Sequence, residues 1–192
     1  MADRKVIITV APSSNFQGKE ANPAIPYTPA EIAEQVYGAW NAGASLAHMH
    51  ARDRNGVQTN DVNVFREINA AVLNECDIIL QNSIAPALGP NPATAEDGLQ
   101  VLNAGPEMTS IDMGISVVVV RGKTVIIEWT REFLRRAAKM MMDRGIKPEM
   151  EIFNDSHMDD ALMLINEGLF TPPYSFSFVT NMHKVNQGSV AF

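Results

Sequence analysis

The feature that most constrains the fold is a regular alternation of short apolar runs with longer amphipathic stretches. The apolar runs predict six buried strands, at Val6–Ala11, Ser45–His50, Asp77–Gln81, Met108–Met113, Met150–Phe153 and Tyr174–Val179. The stretches between them predict helices at 29–42, Asp61–Leu73, Thr94–Asn103, Thr130–Arg144 and Ser156–Glu167. Strand–helix alternation at this spacing is typical of parallel βαβ units, so we expect an α/β domain.

Local signals mark where some of these elements begin and end. The run Thr28-Pro29-Ala30-Glu31 combines a capping box with proline at the first helical position, and Gly43 is placed to end that helix. Two further apolar runs, Val117–Val120 and Thr124–Ile127, flank Arg-Gly-Lys and predict a hairpin between the fourth strand and the next helix.

Two parallel architectures fit this element order, both as a single domain over residues 1–192. A doubly wound sheet would be complete with six strands. A (β/α)₈ TIM barrel needs eight strands, and the chain would then lack the last two β/α units. No G-x-G-x-x-G motif follows the first strand, which argues against a dinucleotide-binding fold. The alternation alone does not choose between the two architectures.

Charge and cysteine content restrict the partners and the compartment. The net charge is −7, which disfavours binding to a nucleic-acid backbone. Cys76 is the one cysteine in the sequence, so no internal disulfide can form, as in proteins of a reducing compartment. The apolar run at Val6–Val10 is too short for a signal peptide or a membrane span. We therefore expect a cytoplasmic protein without nucleic-acid or membrane partners.

The segment His48-Met49-His50-Ala51-Arg52-Asp53 carries the clearest chemical signal. Residues two apart on a strand project to the same side, so His48 and His50 should lie side by side at the carboxyl end of the second strand. That end carries the active site in parallel α/β folds, and paired imidazoles suit Zn²⁺ or a similar divalent metal. The alternative is a pair of structural histidines that hydrogen bond to the backbone.

A catalytic metal site needs a third protein ligand, and the sequence offers several at or near strand ends. These candidates are Asp112, Glu149, Glu151 and His183. Ser83 and Ser110 also lie at or near strand ends, where their hydroxyls can orient a substrate or simply cap the local backbone. The spacing to the histidine pair does not choose among the acids.

In order along the chain, the segments ITVA, NPAIPYTPAEIA, AGASLAHMHARD, NGVQT, PEMTSIDMG, RGIKPEMEIF and EGL resemble the β-keto acid cleavage enzymes, a family that includes the 3-keto-5-aminohexanoate cleavage enzyme. The resemblance implies an oligomeric (β/α)₈ barrel with Zn²⁺ on His48 and His50. It implies a reaction in which a β-keto acid and acetyl-CoA give acetoacetate and a new CoA thioester.

The positions of individual residues, together with the resemblance for Ser83 and Phe16, predict their roles. Ser83, in the family's strand-three Q-x-S motif, and Arg52 are the expected catalytic residues. The substrate should be bound by Ser83, Ser110, Asp112 and Phe16. The family's third metal ligand, a Glu with a neighbouring catalytic Asp, would lie beyond position 192.

Two segments depart from the family pattern. APSSNFQGKE replaces a T-G-A-E-type stretch, so Phe16 falls where an acid can bind a substrate ammonium, and QNSIAPALGPNP replaces Q-x-S-T-G-G. The first change predicts a preference for apolar-tailed over amino-bearing keto acids. Two other functions remain open: a truncated barrel that binds metal without turnover, and a metal-assisted aldolase-like lyase or hydrolase.

Overall fold

The computed structural model describes residues 5–120 and 123–180. The first half contains β1 (Thr9–Val10), α1 (Pro29–Asn41), β2 (Leu46–Met49), β3 (Ala51–Arg52), β4 (Gln58–Thr59), α2 (Val62–Glu75) and β5 (Ile79–Ser83). The second half contains α3 (Ala95–Leu99) continued by a 3₁₀ helix (Gln100–Ala104), β6 (Met108–Asp112), β7 (Ser116–Val120), β8 (Lys123–Ile127), α4 (Arg131–Arg144), β9 (Lys147–Ile152), α5 (Asp155–Asn166) and β10 (Ser175–Phe178).

Six strands form one parallel sheet in the order β1-β2-β5-β6-β9-β10. This order follows the chain without reversal, whereas a doubly wound sheet reverses direction at a switch point. Residues of β1 and β10, the two edge strands, line one cleft together with residues of β2, β5 and β9, so the sheet is curled. The described residues therefore form an open half-barrel, and the doubly wound alternative is wrong.

The two faces of the curled sheet differ in chemistry because side chains alternate along each strand. On the outer face the buried side chains are largely apolar and join the helices in one core, as Met49, Leu80, Ile111, Met150 and Ile152 show. The largest buried side chain, Trp129, precedes α4 and stacks edge-on against Phe133 with ring centroids 5.0 Å apart. The inner face is polar.

The local signals read from the sequence are confirmed. Thr28 accepts a hydrogen bond from the Glu31 amide, while the Glu31 carboxylate accepts one from the Thr28 amide, so the capping box is complete. Gly43 has a φ of 107°, which permits the chain to leave α1. The predicted hairpin is present, with β7 and β8 paired antiparallel.

Several predicted boundaries are wrong, and the first strand differs most. The buried strand expected over Val6–Ala11 is reduced to Thr9–Val10, while Val6 and Ile7 are 80% and 76% exposed, because β1 is an edge strand. The second strand ends at Met49 rather than His50, because Ala51–Arg52 pair with β4 instead. The third strand lies two residues later than expected, where it pairs with β2.

The helix expected over Thr94–Asn103 is divided between α3 and the 3₁₀ helix. Gly98 lies at this division, and a Cβ there would come within 2.0 Å of the Ile84 carbonyl oxygen. Glycine therefore allows α3 to approach the end of β5 closely. Among the described residues, no helix combines the length and the apolar character needed to cross a membrane.

Candidate active site on the inner face of the sheet

The inner face carries a continuous set of polar side chains. The strand register places His48 beside Gln81, Ser83 beside Ser110, Ser110 beside Glu149, and Asp112 beside Glu151. Alternation along each strand then directs one polar set to the same side: His48, Gln81, Ser83, Ser110, Asp112, Glu149, Glu151, Ser175 and Ser177. The residues predicted from separate strand ends are therefore neighbours on one surface.

The two histidines meet through their ring nitrogens. The Nε2 atoms of His48 and His50 lie 3.2 Å apart. The Nδ1 atom of His48 lies 2.8 Å from Oε1 of Gln81, so His48 donates its proton from Nδ1 and leaves a lone pair on Nε2. The backbone of His50 is fixed by Ser13, whose Oγ exchanges hydrogen bonds of 2.9 Å with the His50 amide and carbonyl.

Both imidazoles are held neutral by their surroundings. Removal from water lowers the pKa of His48, although Gln81 and the charges of Glu149 and Asp112 oppose that change. Removal from water also lowers the pKa of His50 well below its usual range, and His48 and Arg52 add to the effect. Neutral imidazole is the form that binds a metal ion.

The geometry of the pair fits one metal ion. Two nitrogens at about 2.0–2.1 Å from a tetrahedral Zn²⁺ would be about 3.3–3.4 Å apart, close to the observed 3.2 Å. A metal-binding histidine usually donates its other ring proton to a protein oxygen, as His48 does to Gln81. Within residues 5–120 and 123–180, however, no set of three His, Cys, Asp or Glu side chains is arranged to hold a metal.

The acids expected as possible third ligands lie elsewhere on the inner face. Asp112 and Glu151 are neighbours in the strand register, and Asp112 accepts a 3.1 Å hydrogen bond from Ser116 Oγ. Glu149 accepts a 3.4 Å hydrogen bond from Ser175 Oγ. The charges of Glu149 and Asp112 act on His48, but none of the three acids forms a three-residue ligand set with the histidine pair. The fourth candidate, His183, lies outside the described residues.

The Asp112–Glu151 pair has unusual protonation. Removal from water and the charge of Glu151 raise the pKa of Asp112 well above its usual range. Removal from water raises the pKa of Glu151 to about 7, although Asp112 acts in the opposite direction. The pKa values of both carboxyls are therefore raised, and removal from water is the largest cause for each.

The two serines lie deeper than the histidines. Ser83 and Ser110 are 2% and 1% exposed. Ser83 Oγ accepts a 3.2 Å hydrogen bond from the Ala85 amide, which leaves its hydroxyl proton available, and Ser110 Oγ is buried without a hydrogen-bond partner. The hydroxyls expected to bind substrate are therefore next to one another and have unused hydrogen-bonding capacity.

Arg52 is directed away from the inner face. Its guanidinium donates to the backbone carbonyls of Ser14, Gln17 and Gly56, at 3.0, 2.5 and 2.8 Å, and lies over the ring of Tyr27. These contacts hold the first loop against the β3–β4 hairpin. The catalytic role expected for Arg52 stays a prediction, and the observed contacts are those of a positioning residue.

Phe16 is half-buried and packs against the hydrophobic core. The cleft between β1 and β10 measures about 600 Å³ and is bounded by Ile7, Thr9, Ala11, His48, Gln81, Glu149, Glu151, Tyr174, Ser175, Phe176 and Ser177. Phe16 is not among these lining side chains, and neither are the predicted site residues His50, Ser83, Ser110 and Asp112. A second cavity of about 530 Å³, between the loop after β5 and α4, contains none of the predicted site residues. The cleft, with its imidazole and carboxylates, is the better candidate for the reaction site.

Sequence reasoning missed Gln81, Ser13 and Ser116. Gln81 precedes Ser83 by two residues on a predicted strand, so alternation could have placed it on the same face. The roles of Ser13 and Ser116 depend on long-range or turn geometry that no local pattern reports.

The chain is similar to known proteins in both sequence and fold. A family model described as "beta-keto acid cleavage enzyme" matches residues 5–191. The chain belongs to this family. It is 36% identical over 176 residues to the 3-keto-5-aminohexanoate cleavage enzyme of Fusobacterium nucleatum subsp. nucleatum, a match that covers 91% of this chain and 62% of the relative.

Other relatives in the β-keto acid cleavage family carry different names. The 3,5-dioxohexanoate:acetyl-CoA acetone transferase of Paraburkholderia graminis is 27% identical, over 89% of this chain and 61% of the relative. The chain thus spans less than two thirds of the length of these relatives. The solved structure "Ternary complex of ObcA with C4-CoA adduct and oxalate" superposes with a TM-score of 0.67 at 21% identity, over 83% of this chain and 38% of that one, and shows the shared fold.

Proposed function

We propose that the protein is a zinc-dependent β-keto acid cleavage enzyme, which converts a β-keto acid and acetyl-CoA into acetoacetate and a new CoA thioester. The observation that carries the proposal is the convergence of the His48 and His50 Nε2 atoms, 3.2 Å apart, on the polar inner face. Membership of the family supports it, as do relatives named as cleavage enzymes or as acetyl-CoA transferases.

His48 and His50 would hold the metal, with Gln81 keeping the His48 proton on Nδ1. Bound Zn²⁺ would polarise the keto carbonyl of the substrate as a Lewis acid. Ser83 and Ser110 would donate their hydroxyl protons to substrate oxygens, because neither proton has an acceptor among the described residues. These contacts would orient the keto acid with its reacting carbons toward the cleft.

The reaction needs one proton to leave and one to return. Carbon 2 of the keto acid loses a proton and bonds to the acetyl carbonyl carbon, releasing CoA as the thiolate. The thiolate then bonds to the original keto carbon, the bond from that carbon to carbon 2 breaks, and carbon 2 of the resulting acetoacetate regains a proton. The Asp112–Glu151 pair, whose carboxyl pKa values are both raised, is suited to take up the first proton and to return the second.

The test is a metal analysis followed by a screen of β-keto acids with acetyl-CoA. We expect zinc to copurify and acetoacetate and a new CoA thioester to form in equal amounts. Loss of keto acid without use of acetyl-CoA would instead indicate a lyase or hydrolase. Bound zinc with no consumption of any keto acid would indicate a metal-binding barrel without turnover.

Homo-oligomerisation and a cytoplasmic location stay predictions. Analytical ultracentrifugation by sedimentation would test the oligomeric state.

A further inference from the structure

Gln81 has a side chain whose two ends have different surroundings. Its Oε1 atom accepts the proton from His48 Nδ1 at 2.8 Å. Its Nε2 atom is buried and has no hydrogen-bond partner, although the residue lines the cleft with Glu149 and Glu151. The hydrogen bond to His48 therefore accounts for the Oε1 atom of Gln81 but not for its Nε2 atom.

A buried amide nitrogen without an acceptor is strongly unfavourable, so such atoms usually bond to protein, water or ligand. The neighbouring groups do not supply that acceptor: Glu149 accepts from Ser175 Oγ, and Glu151 pairs with Asp112. Ser110 Oγ, on the next strand of the same inner face, is another buried polar atom without a partner. Two unused donors on one face indicate that a ligand rich in oxygen atoms belongs there.

We infer that Gln81 binds the β-keto acid directly: its Nε2 donates a hydrogen bond to a carbonyl or carboxylate oxygen of the substrate, while its Oε1 orients His48. This inference rests on the proposed function. An amide that contacts ligand and metal-binding histidine at once couples the position of one to the other. Substrates without an acceptor oxygen at that point would leave the Nε2 donor unsatisfied and would bind less tightly.

Gln81→Glu separates the two ends of the side chain. The carboxylate keeps an acceptor for His48 Nδ1 but removes the Nε2 donor. Gln81→Met removes both functions. Gln100→Glu, an identical change at an exposed helical position, is the matched control. For each protein we would measure zinc content, melting temperature, and the dissociation constants of acetoacetate and its neutral methyl ester by calorimetry, alongside kcat and KM.

We expect Gln81→Glu to retain zinc and to bind both ligands about 5- to 20-fold more weakly, the effect of one lost hydrogen bond. Gln81→Met should in addition lose zinc affinity about 10- to 100-fold, as when a partner of a metal-binding histidine is removed. Gln100→Glu should match the unaltered protein. The methyl ester matters because a lost donor weakens both ligands, whereas repulsion by the new carboxylate weakens only the anion.

Three results would overturn the inference. The first is unchanged binding of both ligands by Gln81→Glu, which would mean that water satisfies Nε2. The second is weaker binding of acetoacetate alone by Gln81→Glu, with the methyl ester unaffected. The third is loss of zinc in Gln81→Glu, which would confine the amide to a role in the metal site. Failure of the proposed function has a different signature, because the unaltered protein would then bind neither acetoacetate nor its ester.

Discussion

Asp112 and Glu151 occupy paired positions on β6 and β9, so their carboxyl groups are neighbours on the inner face of the sheet. Removal from water raises the pKa of both groups, because it disfavours the charged carboxylate. The inner face therefore carries less negative charge near neutral pH than its acidic residues would give in water. This matters for the proposed β-keto acid substrate, which is itself an anion.

The raised pKa of Glu151 should make stability depend on pH in a defined direction. The pKa of Glu151 rises from 4.5 to about 7, so the folded protein holds the proton more tightly than the unfolded chain. The resulting stabilisation is fully present below about pH 4.5 and is lost as the pH rises through about 7. Glu151→Gln should remove this dependence, which amounts to at most about 3 kcal/mol and less where cleft water screens the group.

Urea unfolding at half-unit steps from about pH 4 to 8 measures the effect as a difference between the two proteins. The histidines contribute with the opposite sign, because their lowered pKa values give stability that is lost as the pH falls, but both proteins contain them. Glu34→Gln, exposed on α1, is the control. A difference that does not change with pH would contradict the assignment.

The metal site makes a second prediction. Replacing His48 and His50 together by alanine should abolish the proposed zinc binding, because both Nε2 atoms that would hold the ion are lost. Each single variant should bind at least about 100-fold more weakly. Zinc is measured by mass spectrometry after dialysis, with His157→Gln, a buried histidine outside the pair, as control. Full zinc content in the double variant would show that other residues bind the metal.

Arg52→Lys tests whether Arg52 positions the first loop. Lysine keeps the charge but cannot reach three backbone carbonyls at once, so we expect a loss of about 2–3 kcal/mol in the free energy of unfolding. Arg54→Lys, at an exposed position two residues away, should change stability by less than about 0.5 kcal/mol. If Arg52→Lys keeps full stability but loses kcat, the residue is catalytic instead.

Ser110→Ala should separate stability from binding. Because its hydroxyl is buried without a partner, removing it should leave the free energy of unfolding unchanged within about 0.5 kcal/mol or raise it. Acetoacetate should nevertheless bind about 5- to 20-fold more weakly if the hydroxyl contacts the substrate. Ser177→Ala, at a half-buried position on β10, is the comparison. Equal affinity in Ser110→Ala would remove Ser110 from the substrate site.

The substrate preference expected from Phe16 stays a prediction. An apolar side chain in the first loop favours an apolar tail by about 25 cal/mol per Å² buried, whereas an ammonium would lack a counter-charge there. We expect kcat/KM to be lower for 3-keto-5-aminohexanoate than for its deaminated analogue, and Phe16→Glu to reverse that order. Glu149 and Glu151 line the cleft and are the alternative partners of a substrate ammonium. Equal kcat/KM values for the two keto acids would therefore indicate that one of these glutamates binds the ammonium.

The site could be predicted to the extent that it depends on period-two alternation. The spacing of His48 and His50 alone predicts that the two side chains lie together. The predicted third strand is displaced by two residues, but the predicted face of Ser83 is still correct because side-chain direction repeats every two residues. The capping box of α1 was predictable for a similar reason, since all its contacts lie within four residues.

What could not be predicted depends on contacts between distant segments. Arg52 donates hydrogen bonds to carbonyls of the first loop that lie 35 and 38 residues away in sequence. The residues around Arg52 give no indication of where that loop lies. The pairing of Asp112 with Glu151 follows from the register between two strands separated by a hairpin and a helix. The exposure of Val6 and Ile7 follows from a strand's place at a sheet edge, which an apolar run does not reveal.

The division of each strand into an apolar outer and a polar inner face has an evolutionary consequence. Residues that hold the helices, such as Leu80 and Met150, alternate with residues that face the cleft, such as Gln81 and Glu151. Mutations at cleft positions can therefore accumulate with little damage to folding. A lineage with this arrangement can change its substrate while it keeps the same scaffold. The relatives of this chain are named for different keto acids, which is consistent with such a history.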